Sequence, residues 1–261
     1  MAPRVPNRLP VRRQAELLSY LRRRGSATIT ELAEAVNTSE STVRRDLDQL
    51  AQEGQLKRTH GGASITEHRT SEIRFVDRRL EQVEEKARIG QRALSLLEPG
   101  QSVIFDSSTT VLAVVDALAH NPMSLTAVTH DLHIAATLAS IPKINVIVPG
   151  GEVRPDSFTL LGPTTLTFLQ KLHVDVAVLG IHAITGTTLT EGGLVVAETK
   201  GVLMRAATRT LLLADSSKFT RPAFYDAGDM RAVHDFITDN GAPEKALEVL
   251  RESTETHLHV V

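Results

Sequence analysis

The stretch Ser39-Glu40-Ser41-Thr42-Val43-Arg44-Arg45-Asp46-Leu47 constrains this chain more than any other. Val43, Leu47 and Leu50 recur at i, i+4 and i+7, so a helix here carries one apolar face that must be buried. Ser39 precedes it as an N-cap whose hydroxyl can accept an orphan backbone N–H. Ser41, Thr42, Arg44 and Arg45 then fall on the outer face near the helix start. Short hydroxyls and guanidinium forks at that end suit phosphate oxygens and guanine edges in a DNA major groove. An Arg-Arg pair alone is more often a solvated, charged helix face. The flanking sequence decides between the two.

Residues 1–10 hold three prolines and two arginines and read as a flexible basic lead-in. From Val11 to Arg24 the pattern is helical, with Ala15, Leu17, Leu18 and Leu21 inward and Gly25 as the stop. Ala27-Thr28-Ile29 reads as extended. Thr30 is expected to cap a second helix, Glu31 to Val36, with Leu32, Ala35 and Val36 inward. Asn37-Thr38 makes a tight turn into the opening helix, which runs to about Glu53 and stops at Gly54. Two short helices joined this way form a helix-turn-helix unit whose second helix is the reader. Leu56-Lys57-Arg58-Thr59-His60-Gly61-Gly62-Ala63 follows as a strand and a glycine-kinked tip. It is either a plain hairpin or a wing along the DNA backbone, and Lys57, Arg58 and His60 favour the wing.

Arg13-x3-Leu17, Ser39-x2-Thr42-Val43-Arg44-Arg45-Asp46-Leu47 and Arg58-Thr59-His60-Gly61-Gly62-Ala63 together resemble the DeoR family of bacterial transcriptional regulators. The resemblance implies that Ala27 to Asp46 is the helix-turn-helix proper. It makes Thr30, Ser39, Ser41, Thr42, Arg44, Arg45, Lys57, Arg58, His60 and Gly61 the expected DNA contacts. Asp46 is a separate case. A carboxylate beside phosphate would repel, so it is expected to orient Arg45 or to cap locally.

Charge supports the same assignment. Residues 1–66 hold 11 Lys/Arg against 7 Asp/Glu, and the remainder 18 against 24, so a basic head sits on an acidic body. At 261 residues there is room for two domains. We place a winged helix-turn-helix at 10–65, a charged linker at 66–85 and a sensor at 86–261. No apolar run approaches the roughly 18 residues of a membrane span. The start lacks an apolar signal core, and the absence of cysteine excludes disulfides and thiolate metal sites. A cytoplasmic protein with no metal or cofactor is expected.

The linker mixes charge with Ile73, Phe75, Val76 and Leu80, a composition that allows packing in more than one way. Lys86 to Leu97 then reads as an amphipathic helix ended by Pro99-Gly100. Beyond it, apolar runs at 102–105, 125–128, 144–148, 174–179 and 210–214 alternate with helical patterns at 111–118, 132–140 and 197–207. That alternation argues for an α/β fold with a mainly parallel sheet, whose ligands bind beyond the C-terminal strand ends.

Those ends carry the polar residues. Asp106-Ser107-Ser108-Thr109-Thr110 passes from strand to helix, and its hydroxyls with the free helix N–H groups form a cradle for an anion. Ordinary N-capping needs only one hydroxyl. Thr129-His130-Asp131 ends the second strand, where Asp131 is a candidate helix cap. Gly150-Gly151 follows the third strand, allowing close backbone approach, and Arg154 is either a surface charge or an anion partner. Glu198-Thr199-Lys200 is read as opening a helix, and Asp215-Ser216-Ser217-Lys218-Phe219 follows the last strand.

This body also resembles the DeoR sensor domain, whose corresponding motifs line a sugar-phosphate pocket. By that resemblance Asp106, Ser107, Ser108, Thr109, Thr110, Thr129, His130, Gly150, Gly151 and Lys218 are expected effector contacts, and Arg154, Glu198 and Lys200 join them from their own places near strand ends and a helix start. Two positions depart from the family pattern: Ser108 stands where glycine is usual, and His130-Asp131 where Asn-Ser or Asn-Asp is common. The implied fold is similar to ribose-5-phosphate isomerase and CoA-transferase-like folds, which raises an enzyme as the alternative. Those isomerases carry an Asp-Gly-Ala-Asp run and a lysine after the strand matching Val174–Leu179. Here no Lys or Arg occurs between Lys171 and Lys200, so a non-enzymatic sensor is expected. The expected partners are an operator duplex, a phosphorylated sugar and further copies of the chain, as a dimer or tetramer. A non-sensing oligomerisation body is the third reading.

Overall fold

In the computed structural model, which describes residues 10–64, 78–154 and 157–261, the N-terminal unit forms from three helices and a small sheet. Its elements are α1 (Pro10–Arg24), β1 (Ser26–Thr28), α2 (Ile29–Ala35), α3 (Glu40–Gln52), β2 (Lys57–Thr59) and β3 (Gly62–Ser64). The strands pair antiparallel in the order β1-β3-β2. Leu17, Leu18 and Leu21 of α1 meet Leu32 of α2 and Val43, Leu47 and Leu50 of α3 in one buried core. The i, i+4, i+7 stripe of α3 is therefore its inner face.

Thr28, not Thr30, caps α2: its hydroxyl accepts from the Glu31 N–H while the Glu31 carboxylate accepts from the Thr28 N–H at 2.8 Å. This reciprocal capping box draws the helix start back to Ile29, which is buried. Asp46 neither orients Arg45 nor caps. It is buried and takes two hydrogen bonds from the Arg13 guanidinium of α1, at 2.5 and 3.1 Å. The hydrogen bond to Asp46 holds the Arg13 pKa above its ordinary value, against the opposing effect of burial. This pair locks α3 onto α1 from the inside.

Gly62 is required by close approach. A Cβ there would lie 2.1 Å from the Ala27 carbonyl oxygen, so only glycine lets β3 pair this closely with β1.

The second unit begins at Gln82. Most of the expected linker, residues 66–77, lies outside the described residues. Helix α4 (Val83–Leu94) starts and ends three residues earlier than its expected span of Lys86 to Leu97. Glu84 and Glu85 then occupy its first turn, where the helix dipole favours anions. Then come β4 (Ser102–Phe105), α5 (Thr109–His120), β5 (Leu125–Thr129), α6 (Leu132–Ala139) and β6 (Ile144–Ile147). A two-stranded pair, β7 (Glu152–Val153) with β8 (Leu160–Leu161), leads to α7 (Pro163–Leu169) and β9 (Val174–Gly180). After β10 (Ala183–Thr185) and β11 (Thr188–Glu191), helix α8 (Leu194–Ala206) feeds β12 (Ala207–Leu213). β13 (Tyr225–Asp229), β14 (Asp235–Thr238), α9 (Glu244–Ser253) and β15 (His257–Val260) complete the unit.

Seven strands form one parallel sheet in the order β15-β14-β12-β9-β4-β5-β6. Alternation along each strand sends side chains to two layers. Val103, Phe105, Val176, Val178, Leu211 and Leu213 pack against α4, α5 and α6. Ile104, Ala177, Leu179 and Leu212 face the other way, against α7, α8 and α9. A separate antiparallel sheet, β10-β11-β13, extends beyond β9. Among the described residues no helix is long and apolar enough to cross a membrane.

Arg13 and Asp46 give the first prediction. Asp46→Ala leaves a buried guanidinium without its carboxylate, which should lower the stability of the head by about 3 kcal/mol. Pairing it with Arg13→Met should cost less than the two single changes added together. Urea denaturation of the single and double variants measures this coupling, and strict additivity would show that the pair does not interact.

Candidate functional sites

In the head, α3 displays its outer face to solvent. Ser39 caps the helix, its hydroxyl accepting from the Thr42 N–H at 3.3 Å and lying 3.0 and 2.9 Å from the Ser41 and Thr42 hydroxyls. Arg44 and Arg45 are exposed, as are Thr30, Lys57, His60 and Gly61. Arg58 differs from the other expected contacts: it is half-buried, pairs with Asp48 at 3.0 Å and donates to the Gly62 carbonyl at 3.0 Å. It therefore fastens the wing to α3. A residue absent from the expected contacts, Glu40, pairs with Arg44 at 3.2 Å and accepts from the Thr30 hydroxyl at 2.8 Å. Its one sequence signal is an acidic residue in the first helical turn.

In the second unit the strand ends converge as the sheet topology requires. β4, β5 and β9 are neighbours, so Asp106, Thr129-His130-Asp131 and Gly180 meet at one edge. Asp106 is buried, accepts from the Gly180 N–H at 3.0 Å and pairs with the Lys200 ammonium. Lys200 also donates to the Gly180 carbonyl at 2.8 Å and lies 3.5 Å from Glu191 at the end of β11. Burial alone would push the Lys200 pKa down, but Asp106 and Glu191 outweigh it and the net shift is upward. The lysine is therefore held charged.

Lys200 lies in the second turn of α8, which begins at Leu194 rather than at Glu198 as expected. Glu198 is exposed and Lys200 buried; two helical residues apart, they point about 200° from one another. The carboxylate of the cluster is thus Glu191 and not Glu198. Nothing in the sequence near Glu191 marks it for this role, since its partner Lys200 comes from another element.

His130 is buried beside Asp106, its Nε2 3.6 Å from the carboxylate, and its Nδ1 has no hydrogen-bond partner. Burial pushes its pKa down, more than Asp106 pulls it up, so the ring is neutral and the contact is not an ion pair. Ser107 donates to Asp131 at 2.6 Å and lies 2.6 Å from the Thr159 hydroxyl. Asp131 caps α6 through the His133 and Ile134 N–H groups, and Thr129 accepts from the Asp131 N–H at 3.1 Å. Ser108 caps α5, accepting from the Thr110 N–H at 3.2 Å, while Thr109 and Thr110 are buried beside it. Ser108 fits because Gly180 opposite has no side chain; a Cβ there would lie 2.2 Å from the Ser108 hydroxyl.

The Gly150-Gly151 pair makes its close approach to the chain itself. Thr165 of α7 donates to the Gly150 carbonyl at 2.8 Å, and a Cβ on Gly151 would lie 2.1 Å from its hydroxyl oxygen. Arg154 is half-buried just past β7, its N–H on the Thr159 carbonyl at 2.8 Å. Lys218 lies on the turn after β12 beside buried Asp215. Burial would raise the Asp215 pKa, but Lys218 and Lys86 together hold it below the usual carboxylate range. No group of three or more His, Asp or Glu side chains able to hold a metal ion occurs among the described residues.

A helix-turn-helix on one unit and a polar strand-end cluster in an α/β body on the other are the parts of a DNA-binding regulator of transcription. The comparisons agree: residues 13–69 match the DeoR-like helix-turn-helix domain, and residues 81–240 match the DeoR C terminal sensor domain. The chain belongs to the DeoR family of DNA-binding transcriptional regulators. It is 31% identical to the glycerol-3-phosphate regulon repressor of Escherichia coli over 237 residues, covering 90% of this chain and 93% of that protein. It is 32% identical to the HTH-type transcriptional repressor GlcR of Bacillus subtilis, covering 87% of each. The full-length sorbitol operon regulator SorC from Klebsiella pneumoniae is similar at 15% identity and a TM-score of 0.42, over 92% of this chain and 99% of that one.

His130 supplies a pH test. Its pKa lies below the usual 6.5 in the folded chain, so the unfolded chain takes up the proton more readily. Its contribution to stability is complete above pH 6.5 and is lost as pH falls below that value. Thermal unfolding between pH 7.5 and 5 should show a steeper fall for wild type than for His130→Gln. Equal slopes would mean that His130 is not held neutral by its surroundings.

Proposed function

We propose that this chain is a repressor of a carbohydrate-metabolism operon. In this reading it acts in the cytoplasm as a homo-oligomer, dimer or tetramer, and a phosphorylated sugar releases it from its operator. The observation that carries the sensing half is the strand-end cluster. The α5 N-terminus with buried Thr109 and Thr110 offers N–H and hydroxyl donors for a phosphate, next to the carboxylates of Asp106 and Glu191, which suit sugar hydroxyls. Ser107, Ser108, Thr129, His130, Gly150, Gly151, Arg154, Lys200 and Lys218 complete this proposed site. Relatives named as repressors, one of a glycerol-3-phosphate regulon, support the same reading. Pairing of heads follows from size, because one small head offers too little interface for tight, specific binding.

The DNA half rests on the exposed Ser41, Arg44 and Arg45 on the face of α3 opposite its buried stripe. Arg44→Ala combined with Arg45→Ala should abolish retardation of operator DNA in a gel while leaving effector binding intact. Retardation at wild-type levels would sink this assignment. Thr109→Ala should weaken the effector response at least tenfold and preserve operator binding. A thermal-shift panel of sugar phosphates at millimolar concentration that moves no melting temperature would count against sensing.

We further infer that the site does not turn over its ligand. Lys200 nevertheless reaches the Gly180 carbonyl at the end of β9, although no Lys or Arg follows that strand in sequence until Lys200 itself. It is neutralised by Asp106 and Glu191, and a lysine held charged between carboxylates is not poised as a base. Measurable aldose–ketose isomerisation by the purified chain would overturn this part.

A further inference from the structure

Glu40 is the acidic residue in the first turn of α3, among the side chains proposed to meet a polyanion. It is exposed, yet both of its oxygens are engaged: one accepts from the Thr30 hydroxyl of α2, the other from the Arg44 guanidinium one turn on. The carboxylate thus bridges the two helices of the helix-turn-helix at their N-terminal ends, on the solvent side. Arg45, its neighbour on the outer face, is exposed and has no ion pair among the described residues. The two arginines therefore differ in kind, one held in a fixed orientation and one free to follow a phosphate.

A carboxylate in that position is repelled by the DNA backbone, so any favourable partner in the duplex must be a donor. In the major groove the donors are the amino groups of cytosine and adenine. Adenine sets an acceptor nitrogen beside its amino group, which suits an amide and repels a second acceptor. Cytosine presents the amino group without that neighbour. Each carboxylate oxygen has two acceptor sites and uses one within the protein, so the capacity to accept from a base remains.

We propose that Glu40 is a base-reading residue of the recognition helix, accepting a hydrogen bond from a cytosine amino group while the Arg44 it orients lies beside it. This rests on the reading of α3 as the helix that contacts DNA. The test is selection from a random duplex library by the full-length wild type, Glu40→Gln and Glu40→Ala. Wild type should enrich cytosine at one position of each half-site. Glutamine, which pairs with the adjacent donor and acceptor of adenine, should move that position to adenine. Alanine should leave it degenerate, with about a tenfold loss of discrimination, and every other position should be unchanged. Cytosine persisting in the alanine variant, or preference lost at all positions together, would overturn the proposal. If instead wild type selects no sequence and Arg44→Ala with Arg45→Ala binds DNA as well as wild type, the helix assignment itself fails and Glu40 with it. Failure confined to the Glu40 variants leaves that assignment standing.

Discussion

The sensor unit depends on a lysine buried away from solvent. Lys200 is buried, and a buried ammonium is tolerated only when carboxylates and carbonyls surround it. Asp106 follows β4, Gly180 ends β9, Glu191 ends β11, and Lys200 comes from α8, so satisfying one charge ties four elements together. Loss of any one partner strips the buried ammonium of part of its compensation, which makes the strand-end geometry hard to deform piecemeal. The opposite edge of the sheet follows the same logic. Buried Asp235 takes Arg209 at 2.7 Å and His259 at 2.8 Å. Arg92 of α4 donates to the other nitrogen of His259, so the ring proton sits on the nitrogen facing Asp235.

The head repeats this device on a smaller scale. Its core is a dozen or so apolar side chains, and the stripe on α3 selects the buried face without setting a unique rotation. The Arg13–Asp46 fork does set one, because it is bidentate and directional. With Asp46 pulled inward, residues 44 and 45 are carried to the outer surface. Asp46 thus helps to keep the two arginines outward by holding α3 against α1, without touching either side chain. Its contribution is orientation, so its cost in desolvation is offset by a fixed reading face.

Much of the fold was legible in sequence, and the failures share a cause. Strands β4, β5, β6, β9 and β12 stand out because parallel strands covered on both faces are continuous apolar runs. β14 (Asp-Phe-Ile-Thr) and β15 (His-Leu-His-Val) escape that test, since their polar residues serve the Asp235 network or the sheet edge. β10, β11 and β13 are short, antiparallel and rich in threonine and aspartate, and α7 is seven residues long. At the site, residues directly after a strand were readable from the switch between apolar run and hydroxyls. Glu191 was not, because its role is set by a lysine from another element. Glu198, nearer in sequence to Lys200, looked the better candidate only while the helix start was placed four residues late.

The internal saturation of this cluster bears on how the proposed effector acts. Two carboxylates face one ammonium, with a neutral histidine beside them, so the middle of the site carries excess negative charge. In the proposed reading a phosphate dianion is disfavoured there and favoured at the α5 N-terminus, where the helix N–H groups and the hydroxyls of Ser108, Thr109 and Thr110 gather. The uncharged part of the ligand is then left to the carboxylates. A ligand arriving at already bonded partners gains only by exchanging those bonds, and it shifts the cluster only if that exchange is unequal between two arrangements of it. That inequality is what a ligand requires to shift a conformational equilibrium.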